Sequence, residues 1–293
     1  MENSKTFVKG LLALSCGAVL LGLSAIFVRY SETSPSLTAF YRVFLAIPFL
    51  YVWLRIEKEE LSFETLKDKK LFPLLLISGA FFAIDMSFWN WSISFTSVAH
   101  ATLMANTAPI FVAVIGFLFL GHKIKPSFFI VLSLAMAGVF LVVLAGSGSD
   151  EFRLFGDSLG IIAAVFYACY ILSIKKVTNF LSPAKALFYA TVFTAIFLLP
   201  ISLIEAETFF PSSYKGWTVL IAYAVISQTL ASGLITYGIS KVSAHLSSLI
   251  LLIQPIAAAV LGWLILSEAI SLLQGLGGVI VLLAIYLATT KDN

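Results

Sequence analysis

The sequence predicts an all-α polytopic membrane protein, with ten transmembrane helices arranged as two inverted five-helix repeats. Three observations carry that expectation. Of 293 residues, 60% are hydrophobic and only 11% charged, and the mean hydropathy is +1.03. Soluble domains carry roughly 25% charged residues. The charges here cluster between apolar runs, so most of the surface is expected to meet lipid. Second, ten such runs can be drawn, most near the ~20 residues a helix needs to cross hydrocarbon. Third, the stretch Ser97–Lys125 returns as Ser243–Ser271 at an offset of 146, which superimposes Pro109 on Pro255 and Gly116 on Gly262 without a gap.

The runs fall near 10–28, 37–55, 71–91, 97–119, 127–145, 158–175, 184–204, 217–238, 243–266 and 271–290. Length favours helices, since buried strands usually span only about four to eight residues. The first run follows Lys5 and Lys9 as a signal peptide would. It lacks a clear small-residue cleavage site and reads as a retained helix. Connections are short, as between the third and fourth runs at Ser92–Thr96, and force antiparallel neighbours. The polar, glycine-rich stretch Gly146–Gly156 is the natural join, which divides the chain into repeats 1–148 and 149–293. Five helices per repeat is an odd number, so the second repeat enters the membrane with opposite sense.

Basic residues orient the chain. With the N-terminus inside, fourteen Lys and Arg fall on the inner side, three on the outer side, and Arg42 within a segment. The positive-inside pattern places both termini in the cytoplasm. Trp53, Trp91 and Trp217 read as interfacial belt residues. Cys16 and Cys169 lie inside apolar runs and read as small buried hydrophobes; no His/Cys cluster suggests a metal, and no cofactor is expected.

Few polar groups sit within the runs. Arg42, beside Tyr41, either snorkels to the interface or faces inward to meet a carboxylate or an anionic solute group. Asp85 is the sharper signal, because a lone carboxylate facing lipid is costly. It pairs with Arg42 or neighbouring donors, or it serves as a solute-amine or proton site. Trp89 shares its helix face at i+4, and Asn90 follows. Asn106 precedes Pro109, and Gln254 precedes Pro255. The prolines are expected to free the carbonyls of Ala105 and Leu251 at mid-depth. These amides are either solute contacts or clasps that steady a kink. Gln228, near the middle of the eighth segment, is a further cavity candidate.

The pattern PxxxxxxG in APIFVAVIG and QPIAAAVLG, the ending LILSEAISLLQGLGGVIVLLAIYL and the second segment TAFYRVFLAIPFL resemble the drug/metabolite transporter superfamily, in its EamA-like branch of ten-helix carriers. The resemblance runs from about Gly10 to Ala288. It implies a carrier, and leaves open amino acids, nucleotide-linked metabolites and other organic solutes. The family's Glu after the motif appears as Glu268 in LSEAI, whereas the first half carries His122 in LGHKI. A role of the paired Glu therefore cannot be carried onto His122.

The expected function is a secondary transporter of small organic metabolites, amino acids or related zwitterions, working by alternating access in a bacterial inner membrane. A nucleoside- or cofactor-like solute is the alternative. Proton coupling and solute exchange both remain open, as do monomer and homodimer. A membrane enzyme is disfavoured because the sequence has no HExxH, GxSxG or P-loop motif. No basic stripe suggests nucleic acid, and no filter motif suggests a channel.

Overall fold

The computed structural model describes residues 2–61, 63–96, 98–121, 125–146, 154–205, 208–266 and 270–292. Among these residues the chain is helical, without a strand. Ten helices are long and apolar enough to cross a membrane: α1 (Lys5–Tyr30), α2 (Pro35–Ile56), α3 (Leu71–Phe95), α4 (Ala101–Leu120), α5 (Pro126–Val143), α6 (Leu154–Val177), α7 (Pro183–Glu205), α8 (Tyr214–Lys241), α9 (Ala244–Ile265) and α10 (Leu272–Thr289). Most of the stretch 146–156 expected as the join, His122 and Glu268 lie outside the described residues, as does the side chain of His100. The outward faces are apolar, with Phe117, Phe119, Leu276 and Leu283 all exposed. In water such a surface would be a liability; in hydrocarbon it is the expected one.

Several spans are interrupted, and the causes are local. Pro48 cannot donate to the carbonyl of Phe44, and α2 breaks at Leu45 between Pro35–Phe44 and Ala46–Ile56. In α4 the bonding tightens from Asn106 N→Thr102 O (3.0 Å) to Thr107 N→Met104 O (3.0 Å) just before Pro109. In α9 it tightens from Leu251 N→Ser247 O (3.1 Å) to Leu252 N→Leu249 O (3.1 Å) just before Pro255. The two breaks agree in kind and lie 145 residues apart, one short of the offset that aligns the prolines. One expectation is corrected here. The carbonyl of Leu251 is not left free, because Gln254 N donates to it at 2.9 Å. The chain absorbs the proline by switching to i→i−3 bonding. In α8 the residues Ala224–Ala231 form a π-helix, braced by Thr229 Oγ1→Ala224 O (3.1 Å) and Ser232 Oγ→Ser227 O (3.0 Å).

Glycine sets the tightest helix contacts, because a missing side chain lets backbones approach. A Cβ on Gly10 would stand 2.8 Å from Val242 Cγ2, where α1 meets the end of α8. A Cβ on Gly156 would stand 2.7 Å from Thr96 Cβ, where α6 meets the end of α3. Gly10 and Gly156 are 146 residues apart, and so are Thr96 and Val242. The α1–α8 and α6–α3 contacts thus use positions related by the offset of 146. On α5 and α10, Gly138 and Gly277 face each other, each with a Cβ position within 2.8 Å of the other's carbonyl oxygen.

The two ends of the bundle are tied differently. At one end Glu32 accepts from Ser212 Oγ (2.9 Å), Ser213 N (3.0 Å) and Ser213 Oγ (2.5 Å), joining the α1–α2 and α7–α8 connections. The hydroxyls of Ser213 and then Ser212 hold the Glu32 carboxyl below its ordinary 4.5. At the opposite end Lys185 Nζ pairs with Glu59 Oε2 at 2.6 Å. There Lys175 Nζ also donates to the carbonyls of Ile239 (2.6 Å), Ser240 (3.2 Å) and Val242 (2.8 Å). Ile239 and Ser240 are among the last carbonyls of α8 and Val242 is the residue that follows its end; such carbonyls lack partners within their own helix.

Candidate functional site

A central cavity of about 610 Å³ runs from mid-span toward the Glu32 end. Arg42 and Asp85 both line it. Arg42 is buried to 7% exposure, so it does not snorkel to an interface. Its guanidinium lies between the rings of Tyr223 (5.2 Å) and Phe82 (5.7 Å), which favours a cation there. Nε donates to Gln228 Oε1 at 3.1 Å and Nη1 donates to the Tyr223 hydroxyl at 3.3 Å. Gln228 in turn donates from Nε2 to Thr191 Oγ1 at 3.0 Å. The chain Arg42–Gln228–Thr191 crosses α2, α8 and α7. Its middle member sits in the π-helix.

Asp85 lies one turn beyond Phe82 on α3. Among the described residues no hydrogen bond to its carboxylate is present, while Arg42 lies within Coulomb range. The cavity thus holds an unbonded acceptor and a braced donor fork of opposite charge. Trp89 and Asn90 line the next turn of the same wall, and Asn106 and Gln254 line it from α4 and α9. Asn106 is partly spent, because its Nδ2 donates back to Thr102 O at 2.7 Å. That bond stays within α4, so it joins no second helix and leaves Oδ1 to face the cavity side.

Two candidates are not brought to the cavity. Gln228 is fully buried behind Arg42. Tyr41 turns away: its hydroxyl donates to Phe209 O at 2.9 Å and its ring meets Trp217 edge-on at 5.5 Å. Depth in the span could be read from sequence, but the direction of a side chain around the helix could not. Conversely, Tyr167 and Tyr170 line the cavity without having been singled out. Tyr170 stacks on Phe82 with centroids 4.4 Å apart, and Tyr167 stacks on Tyr170 at 6.2 Å. The available signal was two tyrosines three apart, set among alanines in AAVFYACYILS.

Comparison with known proteins agrees with this architecture. The family model described as "EamA-like transporter family" matches twice, over residues 8–144 and 154–290. The chain is 28% identical over 242 residues to the uncharacterized transporter YetK of Bacillus subtilis, covering 80% of this chain and 72% of that one. It is 26% identical to an uncharacterized transporter of Archaeoglobus fulgidus, covering 99% of both. It is 25% identical to the pseudopaline exporter CntI of Pseudomonas aeruginosa, covering 97% and 96%. A crystal structure superposes with a TM-score of 0.82 at 15% identity, covering 96% of each chain, and so shares the fold.

Proposed function

The chain belongs to the EamA-like transporter family and is an integral membrane transporter of small solutes rather than an enzyme; from that premise we propose that it is a secondary carrier for zwitterionic, amino-acid-like metabolites. One observation carries the substrate class. Arg42 and Asp85 face the same cavity with opposite charge, and only Arg42 is held by protein partners. A guanidinium suits a solute carboxylate, and the Asp85 carboxylate suits a solute ammonium. Asn90 and Gln254 supply neutral polar contacts, and the Phe82/Tyr170 stack supplies an apolar wall. A planar cation stacked on those rings is the second reading, favoured by the same aromatic cluster.

The transport mode is alternating access between two inverted repeats, residues 1–148 and 149–293. The double match of the family model, the paired breaks of α4 and α9 and the equivalent glycine contacts support this reading. The lysine-rich end then lies in a bacterial cytoplasm with both termini, in accord with the positive-inside pattern. The sequence carries no P-loop, so the energy source is a solute or proton gradient. The exporter name of one relative supports outward transport.

The test is a ligand-dependent thermal-shift screen of the purified carrier across amino acids, nucleosides and organic acids, followed by Asp85→Asn. Binding to the native state raises the apparent Tm by mass action. Amino-acid hits that vanish in the variant are expected. Hits confined to nucleosides would reassign the substrate class.

A further inference from the structure

Arg42 and Asp85 account for one layer of the cavity, and 610 Å³ is room for a larger solute than a charged head alone. The lining holds a second polar group. Ser232 and Thr236 of α8, Tyr170 of α6 and Ser248 of α9 all border the same space. Ser232 follows Gln228, the partner of Arg42, by four residues, and Thr236 follows Ser232 by four more. At 1.5 Å per residue they lie about 6 and about 12 Å along α8 from that partner, and a spacing of four keeps Ser232 and Thr236 on one helix face. Tyr170 ties the two layers together. Its ring stacks on Phe82, which also carries the Arg42 guanidinium, and its hydroxyl bonds the Thr236 hydroxyl.

A serine hydroxyl has one proton to donate and two lone pairs with which to accept. Both serine protons here are already committed. Ser232 Oγ donates to Ser227 O at 3.0 Å, and Ser248 Oγ donates to His245 O at 2.8 Å. A carbonyl oxygen can only accept, so the direction of both bonds is fixed. The bond between Tyr170 and Thr236 spends a third proton within the group. What this group offers a solute is therefore mostly lone pairs. Among the described lining residues, charge is confined to Arg29, Arg42 and Asp85. Lys175, five residues past Tyr170 on α6, gives its ammonium to three carbonyls at the end of α8.

We propose that Ser232, Ser248 and the Tyr170–Thr236 pair form a side-chain subsite that selects a solute tail ending in N–H donors, an amide or an amine, and rejects a tail ending in a carboxylate. The head of the solute sits on Arg42 and Asp85, and its tail runs along α8 to the serines. An N–H group at the tail meets acceptors there. A carboxylate meets lone pairs with its own lone pairs, and gives up water without replacing it. A site built to hydrogen-bond one partner rejects an isostere that cannot make the bond by a large factor. The proposal rests on the zwitterion reading above and adds a side-chain class to it.

The experiment uses the purified full-length carrier and three amino acids that share one head: glutamine, its isostere glutamate, and norvaline with an apolar tail. Calorimetric titration in detergent gives a Kd for each. Glutamine should bind about tenfold tighter than glutamate or better. The double variant Ser232→Ala, Ser248→Ala removes two acceptors and should weaken glutamine about tenfold without weakening norvaline. Norvaline binding also reports that the head site of the variant is folded. Thr236→Val keeps the shape, loses the hydroxyl and gives an independent reading in the same direction. If all three solutes bind and glutamate binds as tightly as glutamine, the subsite is wrong and the zwitterion reading stands. A ratio of glutamine to glutamate affinity that is unchanged in both variants contradicts the subsite equally. If none of the three binds, the zwitterion reading fails and the subsite with it.

Discussion

A charge within an apolar run has few inexpensive positions, and Arg42 and Asp85 both take the central cavity. Their partners were harder to read. Gln228 looked like a solute contact from its depth, yet its amide joins Arg42 to Thr191 at 3.1 and 3.0 Å. Its place is to aim the guanidinium. Gln228→Leu would leave both neighbours short of a partner and should cost about 1–3 kcal/mol, read as a lower midpoint in thermal unfolding. Arg42→Lys keeps the charge but loses the fork that binds Gln228 and Tyr223 together. Solute affinity should fall more than ~10-fold while the fold persists, measured by titration of a screening hit. Tyr170 escaped notice because an aromatic within a span reads first as packing, and only its stacking on Phe82 beside Arg42 gives it a polar neighbourhood.

At the scale of the element, the prolines announced the breaks in α4 and α9. The π-helix of α8 had no such marker in the sequence, since its hydroxyls bond five residues back only once the wide turn exists. Glycine function was likewise half visible: the GLGG run was evident, its facing was not. A Cβ on Gly277 would stand 2.6 Å from Gly138 O, whereas one on Gly275 meets nothing within 4 Å. Gly277→Ala should therefore destabilise by about 1–3 kcal/mol. Gly275→Ala should be neutral or stabilising by up to about 1 kcal/mol from helix propensity. Thermal unfolding in detergent compares the pair. The Glu32 clasp adds a pH dependence. Its carboxyl is held below 4.5 by the hydroxyls of Ser213 and Ser212, so its contribution is present above that pH and lost as pH falls through the lowered value. Glu32→Gln should lower the Tm at neutral pH, and the gap to wild type should close in acid.

For the whole molecule, ten apolar runs made the ten spans readable before any coordinate, and the offset of 146 pointed to a repeat because prolines and glycines keep their positions while apolar residues interchange freely. The open end was not readable, since Arg29 and Lys175 place the same kind of cation at positions related by that offset. The burial of Ile174 and Ile239 against the cavity-lining Val28 and Ile93 distinguishes them. The central claim is that one cavity grips both charges of a zwitterion and carries it across. It is tested most directly by exchange of a radiolabelled zwitterionic solute, chosen from the thermal-shift hits, in proteoliposomes of wild type, Asp85→Asn and Arg42→Gln. The account predicts exchange by the wild type and a loss of about tenfold or more in each variant. Wild-type exchange rates in both variants would contradict it.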